Sequence, residues 1–265
     1  IAVEDECGVC DSDSSNDCTQ DCNGDWGGSA VEDECGVCGG DGTTCSTTVT
    51  DIDGNVYETV EIGEQVWMAE NLRTTKYNNG SSIPTNYSNN DWSNLTTGAY
   101  AYYYDGTPYP AWYGALYNWH AVDDSRGLCM EGWHVPTENE WNILTDYLGG
   151  SDVAGEKMKN NISWDGTNES GFTGLPAGER SSTGYYSYRG SEGNFWSSSE
   201  SYTNSAKFLV LKGSRSDVDI YSHPMVYGFS VRCIGDEDVA VDCAGIAGGS
   251  ATEDNCGTCD SDSSN

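Results

Sequence analysis

Oxygen ligands crowd two short stretches of this 265-residue chain. Asp11-Ser12-Asp13-Ser14-Ser15-Asn16-Asp17 places carboxylates and an amide at alternating and then adjacent positions, and Asp260-Ser261-Asp262-Ser263-Ser264-Asn265 repeats the run. Hard oxygen donors gathered on a short loop suit Ca2+, which would also relieve the repulsion among the carboxylates. Asp11, Asp13, Asn16, Asp17, Asp260 and Asp262 are the candidate ligands. The glycine and the distal bidentate Glu of an EF-hand loop are missing, and a solvated acidic, Ser-rich turn is the alternative.

The cysteines share these stretches. Ten of the twelve lie in an acidic repeat whose complete copy, DCNGDWGGSAVEDECGVCGGDGTTC, runs from Asp21 to Cys45. Partial copies occupy Ala2–Cys18 and Asp242–Asn265, and Ala2–Asn16 matches Ala251–Asn265 at 12 of 15 positions. A chain that starts and stops inside a repeat is expected to be a segment of something longer. A tandem array of whole units would have a period of 249 residues, and an array of 25-residue repeats with one inserted domain explains the match equally well.

A repeat of this size cannot bury a useful apolar core, so cross-links or metal must hold it. Cys22, Cys35, Cys38 and Cys45 allow three connectivities. A bond across the two residues between Cys35 and Cys38 would be strained and labile. The expected pairs are Cys22–Cys35 and Cys38–Cys45. The same rule gives Cys10–Cys18 and Cys243–Cys256 and leaves Cys7 and Cys259 open. Zinc is a weaker reading, since each repeat holds a single CxxC and the arms hold no His. Cysteines patterned in this way point to an oxidising, extracellular setting at the cell surface.

Charge divides the chain in the same places. The net charge is −32, and residues 1–45 and 234–265 contain 20 of the 43 acids and no Lys or Arg. Such a balance excludes nucleic acid as a partner. No run of eighteen apolar residues occurs, so no membrane insertion is expected. Three regions follow: a Cys/Asp-rich arm at 1–45, a domain at 46–236 and a second arm at 237–265.

The central region must supply the fold. Thr47–Leu72 alternates as β-structure, with turns at Asp53-Gly54-Asn55 and Ile62-Gly63-Glu64. Lys207–Leu211 and Phe229–Cys233 also carry strand signals. The spacing predicts a short helix over Tyr113–Val122 with Leu116 and Trp119 inward. A clearer helix spans Thr137–Leu148, started by a Thr137/Glu140 capping box, faced by Trp141, Leu144 and Leu148, and stopped at Gly149-Gly150. Trp67, Trp119, Trp133 and Trp141 are core candidates. The fold class expected is α+β, with two main helices and several antiparallel strands.

Four segments together resemble a known family. VTDIDGNVYETVEIGEQVWMAENL, GLCMEGWHVPTENEWNILTDYLGG, GFTGLPAGERSSTGYYSYRGSEGNFWSSSE and YGFSVRC are similar, in order and spacing, to the Fibrobacter succinogenes major paralogous domain. HVPTENEW followed by GFSVRC also resembles the formylglycine-generating enzymes. These resemblances imply a C-type-lectin-like fold and a Cys129–Cys233 disulfide, and parity agrees, because these are the two cysteines outside the arms. The arms resemble Asp- and Cys-rich calcium-dependent repeats of bacterial surface proteins.

Enzymatic chemistry is not expected. The late active-site cysteines of the formylglycine-generating enzymes have no counterpart beyond Cys233. His120, His134 and His223 show no ligand spacing, and Ser197-Ser198-Ser199 lacks a nucleophile elbow. Aromatic residues are the other resource. Tyr102, Tyr103, Tyr104, Tyr109, Trp112 and Tyr113 form one cluster and Tyr185, Tyr186 and Tyr188 another, and flat rings can stack on sugars or fill interfaces. The expected function is a structural or adhesive module of a long extracellular repeat protein that packs with neighbouring copies. A head that binds surface glycans or protein, presented on stiff arms, is the alternative.

Overall fold

The structure is a computed structural model and describes residues 3–4, 10–11, 20–23, 26, 29–31, 38, 48–104, 111–162, 164–236, 252–253 and 259–260. Cys7, Asp13, Asn16, Asp17, Cys18, Cys35, Cys45, Tyr109, Cys243, Cys256 and Asp262 lie outside the described residues. The chain divides into two units, Ile1–Ser46 and Thr47–Asn265.

In the first unit Cys22 is bonded to Cys38, with their Cα atoms 5.3 Å apart. This corrects the expected Cys22–Cys35 and Cys38–Cys45 pairs. Strain in the tight loop excludes only Cys35–Cys38; it does not choose between the two remaining connectivities. Beside the bond, Asp21 accepts backbone hydrogen bonds from Asn23 and Ala30 at 3.0 and 3.1 Å, which bends the chain back on itself. Val3–Glu4 pairs with Cys10–Asp11, and Thr252–Glu253 with Cys259–Asp260, in the same register. The matching sequences at the two ends therefore pair in the same way.

The second unit departs from the expected class. Among the described residues strands account for 34% and helices, four of them, for 15%, so the domain is mostly β. The two-helix α+β, C-type-lectin-like arrangement is not what forms. The helix expected over Tyr113–Val122 shrinks to Trp119–Val122. Gly114 takes φ +74°, Leu116–Asn118 joins a sheet, and the Asn118 side chain accepts the Ala121 amide to start the helix only there. Leu116 and Trp119 are nonetheless buried. Glu138–Tyr147 is helical behind the Thr137/Glu140 capping box, and Ser151–Met158 adds a turn-linked helix that no sequence signal marked.

Three antiparallel sheets carry the domain. One has the order Tyr186–Ser187, Glu179–Arg180, Gly228–Phe229, Leu116–Asn118, Tyr100–Ala101; another the order Thr48–Thr50, Val56–Ile62, Gln65–Met68, Ile234–Gly235, Trp133–His134. The third is a long ribbon of Glu192–Tyr202, Ser205–Lys212 and Val218–Pro224. Side chains alternate across a strand. In Ser205–Lys212 that alternation sends Ala206, Phe208 and Val210 into one core, with Tyr57, Tyr117, Trp196 and Phe229. Leu209 and Leu211 enter a second core with Trp67, Trp141, Phe172 and Phe195. The middle strand is buried on both faces, which is why residues 208–211 read as an unbroken apolar run.

Residues 228–235 lace the sheets together. Gly228–Phe229 is central in the first sheet and Ile234–Gly235 lies inside the second. Between them, Ser230 and Val231 exchange backbone hydrogen bonds with Asn194, Trp196 and Leu72. Cys233 is bonded to Cys129 across 104 residues. Arg232 has no exposed surface. Its guanidinium donates to Asn71 Oδ1 at 2.8 Å and to the carbonyls of Met68 (3.0 Å), Thr173 (2.9 Å) and Phe172, and it sits 4.3 Å over the Phe172 ring. Burial pulls its pKa down to about 9, still above neutral pH, so it stays charged.

Three outcomes are expected. Arg232→Met should destabilise the domain by about 3 kcal/mol or more in urea titrations, because it strands buried acceptors; Arg232→Lys should also destabilise, since an ammonium cannot reproduce the fork. A loss under about 1 kcal/mol would refute the role. Non-reducing peptide mapping should recover Cys22–Cys38 and, by the same 16-residue register, Cys243–Cys259; recovery of Cys243–Cys256 would refute that register. The third concerns pH. His134 lies between Glu140 Oε1 (2.8 Å) and Asp236 Oδ1 (2.6 Å), and the bond to Glu140, opposed by burial and helped by Asp236, raises its pKa above 6.5. Burial disfavours the Glu140 charge, but hydrogen bonds from His134 and Thr137 outweigh it and lower its pKa below 4.5. A raised imidazole stabilises fully below 6.5 and loses its contribution as pH rises through the folded value; the depressed carboxylate contributes above 4.5 and fails as pH falls through its own. Tm should therefore lose a component on leaving that window in either direction, and His134→Gln should remove the component on the alkaline side.

Candidate functional site

The ribbon exposes one cleft. Its volume is about 310 Å3, and strand periodicity places its walls. Glu192 and Asn194 stand two residues apart on the first strand, Phe208, Val210 and Lys212 on the second, Tyr221 and His223 on the third. The register sets Glu192 opposite Lys212, Asn194 opposite Val210 and Phe208 opposite Tyr221, so all of these share a face. Glu179, Tyr188 and Tyr227 come from neighbouring segments to complete the lining.

Glu179 is the unusual group. It is 8% exposed, and its carboxyl makes no hydrogen bond or ion pair with another described residue. Burial, and then the charge of Glu192, pushes its pKa up to about 7. Asn194 is 1% exposed, and its Nδ2 has no hydrogen-bond partner among the described residues. Buried polar groups are normally satisfied, so the Asn194 amide, in a cleft wall that also holds the Glu179 carboxyl, suggests a partner supplied from outside.

The rest of the wall is aromatic. His223 lies nearly parallel to Tyr227, 4.3 Å between ring centroids, and to Phe208 at 5.0 Å. Burial lowers the His223 pKa, so the imidazole is neutral at pH 7 and packs as a flat ring. The Lys212 ammonium is 5.3 Å above the Tyr221 ring and 3.7 Å from Asp219, which holds it at the rim. Tyr188 takes φ +65°, a conformation costly for a bulky residue, and its carbonyl accepts from the amides of Ser191 and Glu192. Gly178, at φ +73°, leaves no room for a Cβ against the Ser187 carbonyl. The turn carrying Glu179 and Tyr188 is thus held tightly.

The aromatic residues singled out from the sequence do not converge here. Tyr103 is buried against Tyr186, with ring centroids 5.1 Å apart. Tyr102 packs edge-on against Tyr100, Tyr104 is exposed, and Trp112, 66% exposed, leans on Tyr113. None of these lines the cleft; of the two sequence clusters only Tyr188 does. The signal that could have found the site is the period-2 pattern Glu192-x-Asn194 on one outer strand and Tyr221-x-His223 on the other, which acquires meaning only once both are paired to the strand between them. Of the calcium candidates, Asp11 and Asp260 lie in the short terminal strands. Among the described residues no group of three or more His, Cys, Asp or Glu is placed to hold a metal. Among the described residues no helix is long and apolar enough to cross a membrane.

A family model, the Fibrobacter succinogenes major domain, matches residues 60–235. The chain belongs to the Fibrobacter succinogenes major domain family. Comparisons with curated proteins and with solved structures returned no match. The family match ends with the 228–235 segment that laces the sheets, and it contains every residue of the cleft.

Glu179 gives the family domain a second pH signature. Its folded pKa of about 7 exceeds the ordinary 4.5, so the folded state holds the extra proton between these values and stability falls as pH rises through that window. Glu179→Gln should stabilise the protein by on the order of 2 kcal/mol at pH 8 and leave it unchanged near pH 4. Equal effects at both pH values would contradict an unpartnered buried carboxyl.

Proposed function

We propose that the central domain is a non-enzymatic binding head of an extracellular adhesive protein, and that its cleft takes a saccharide. The observation that carries this reading is the buried, unpartnered Asn194 amide in a cleft of about 310 Å3 that also holds the Glu179 carboxyl and a wall of stacked rings. Ligand sites of that size combine flat apolar surface with a few convergent polar groups. A sugar ring offers both counterparts, with C–H faces for the aromatics and hydroxyls for the amide and carboxyl. Disulfides in both units are compatible with a secreted setting.

The arms fit a spacer role, braced by disulfides and, on this reading, by Ca2+ on the acidic loops. The matched strand pairs, Val3–Glu4 with Cys10–Asp11 and Thr252–Glu253 with Cys259–Asp260, favour a further element, that neighbouring copies follow one another along a stalk or fibre. Head-to-tail contacts of that kind extend without closing.

A glycan array probed with the whole chain should show saturable binding. Tyr227→Ala should weaken it by about tenfold or more, whereas Trp112→Ala, outside the cleft, should not. Binding lost with Trp112 and kept with Tyr227 would move the site to the other aromatic cluster.

A further inference from the structure

We infer that the cleft selects a sugar bearing a free amino group over its neutral counterpart. This deepens the saccharide reading and rests on it. A neutral sugar could satisfy Asn194 but would leave two carboxyls in one cleft lining, Glu179 and Glu192, neither of which forms an ion pair among the described residues. The cationic groups nearby are committed elsewhere. Lys212 is drawn to Asp219 and the Tyr221 ring. Arg180, next to Glu179 in sequence, donates to the carbonyls of Gly184 and Tyr87 and stacks 4.2 Å over Trp92. His223 is held neutral by burial. Burial, and then the charge of Glu192, disfavour the ionised form of Glu179.

An ammonium would supply the missing partner. It can donate to a carboxylate in a charge-assisted bond, and the rings of Tyr188, Tyr221 and Tyr227 favour a cation through their faces. A lysine-like amine would meet that need but bring no acceptor for the Asn194 amide. An amino sugar presents both, the ammonium and a hydroxyl or ring oxygen on the same rigid ring. The overall charge of −32 adds long-range attraction for a cation and none for a neutral sugar.

Binding also carries a proton signature. A Glu179 carboxyl that is partly protonated near neutral pH must ionise to receive the ammonium, so the complex forms with release of that proton to solvent.

The test compares glucosamine oligomers with the same oligomers fully N-acetylated, by titration calorimetry on the whole chain at about pH 5.5, where the sugar amines are charged and Glu179 still holds its proton, in buffers of different ionisation enthalpy. The amine form should bind about tenfold or more tightly, with net proton release, and the preference should shrink in high salt. Glu179→Gln should bring the two oligomers to within about twofold and abolish the proton release. If the acetylated oligomer binds as well as the amine form, the selectivity fails while the saccharide reading stands. If neither binds, both fall. If the preference survives Glu179→Gln, the ammonium is held elsewhere and the inference is overturned.

Discussion

Everything in the central domain converges on one buried guanidinium. Arg232 ties together three stretches distant in sequence, at Met68–Asn71, Phe172–Thr173 and its own strand-to-strand crossing. Among the described residues no carboxylate forms an ion pair with it; carbonyl and amide oxygens and the Phe172 face take the place of hydration. A charged group in this position is tolerated only when its donors are met, so each of those loops is held in place by the need to meet them. The Cys129–Cys233 bond lies one residue away and closes the long loop that the same crossing spans. The two devices act differently. The disulfide narrows the unfolded ensemble, and the arginine specifies the folded one.

The same solution recurs. Lys159, 1% exposed, donates to the carbonyls of Lys212, Gly213 and Arg215. Arg180, 2% exposed, is held by the carbonyls of Gly184 and Tyr87 between aromatic faces. A chain with 11 basic residues against 43 acids thus uses three of its cations internally, where they join irregular loops that have few backbone partners of their own. Fewer remain to offset the acids outside. The buried cations leave the surface more anionic than the net charge implies.

Parts of this were legible beforehand. The Thr137/Glu140 box and the Gly149-Gly150 stop are local chemistry, and the helix Glu138–Tyr147 forms where they say. The turn at Asp51–Asn55 is local too: the Asp51 carboxylate accepts from the amides of Asp53 and Asn55 and from Tyr57 Oη. The helix over Tyr113–Val122 misled because Leu116 and Trp119 are buried on either pattern, and periodicity over so short a run cannot separate a strand leading into one helical turn from a helix. The mostly-β class followed from pairings between residues far apart. The cleft was less legible still. Glu179 and Asn194 are ordinary residues in sequence, and only strand register and sheet order put them on one wall without partners.

By itself, the sequence determined what depends on residue type and near neighbours: the acidic, Cys-rich arms, the matching repeat at both ends, the capped helix, and a motif set that marks the family. Those are set by backbone propensities, charge and spacing over a few residues. Tertiary structure decided which cysteine Cys22 meets, which strands share a sheet, that Arg232 is caged by carbonyls, and that Glu179 is buried beside Glu192. Each of these depends on contacts across tens to hundreds of residues, where the fold alone sets distance, and burial then changes what an ordinary side chain can do.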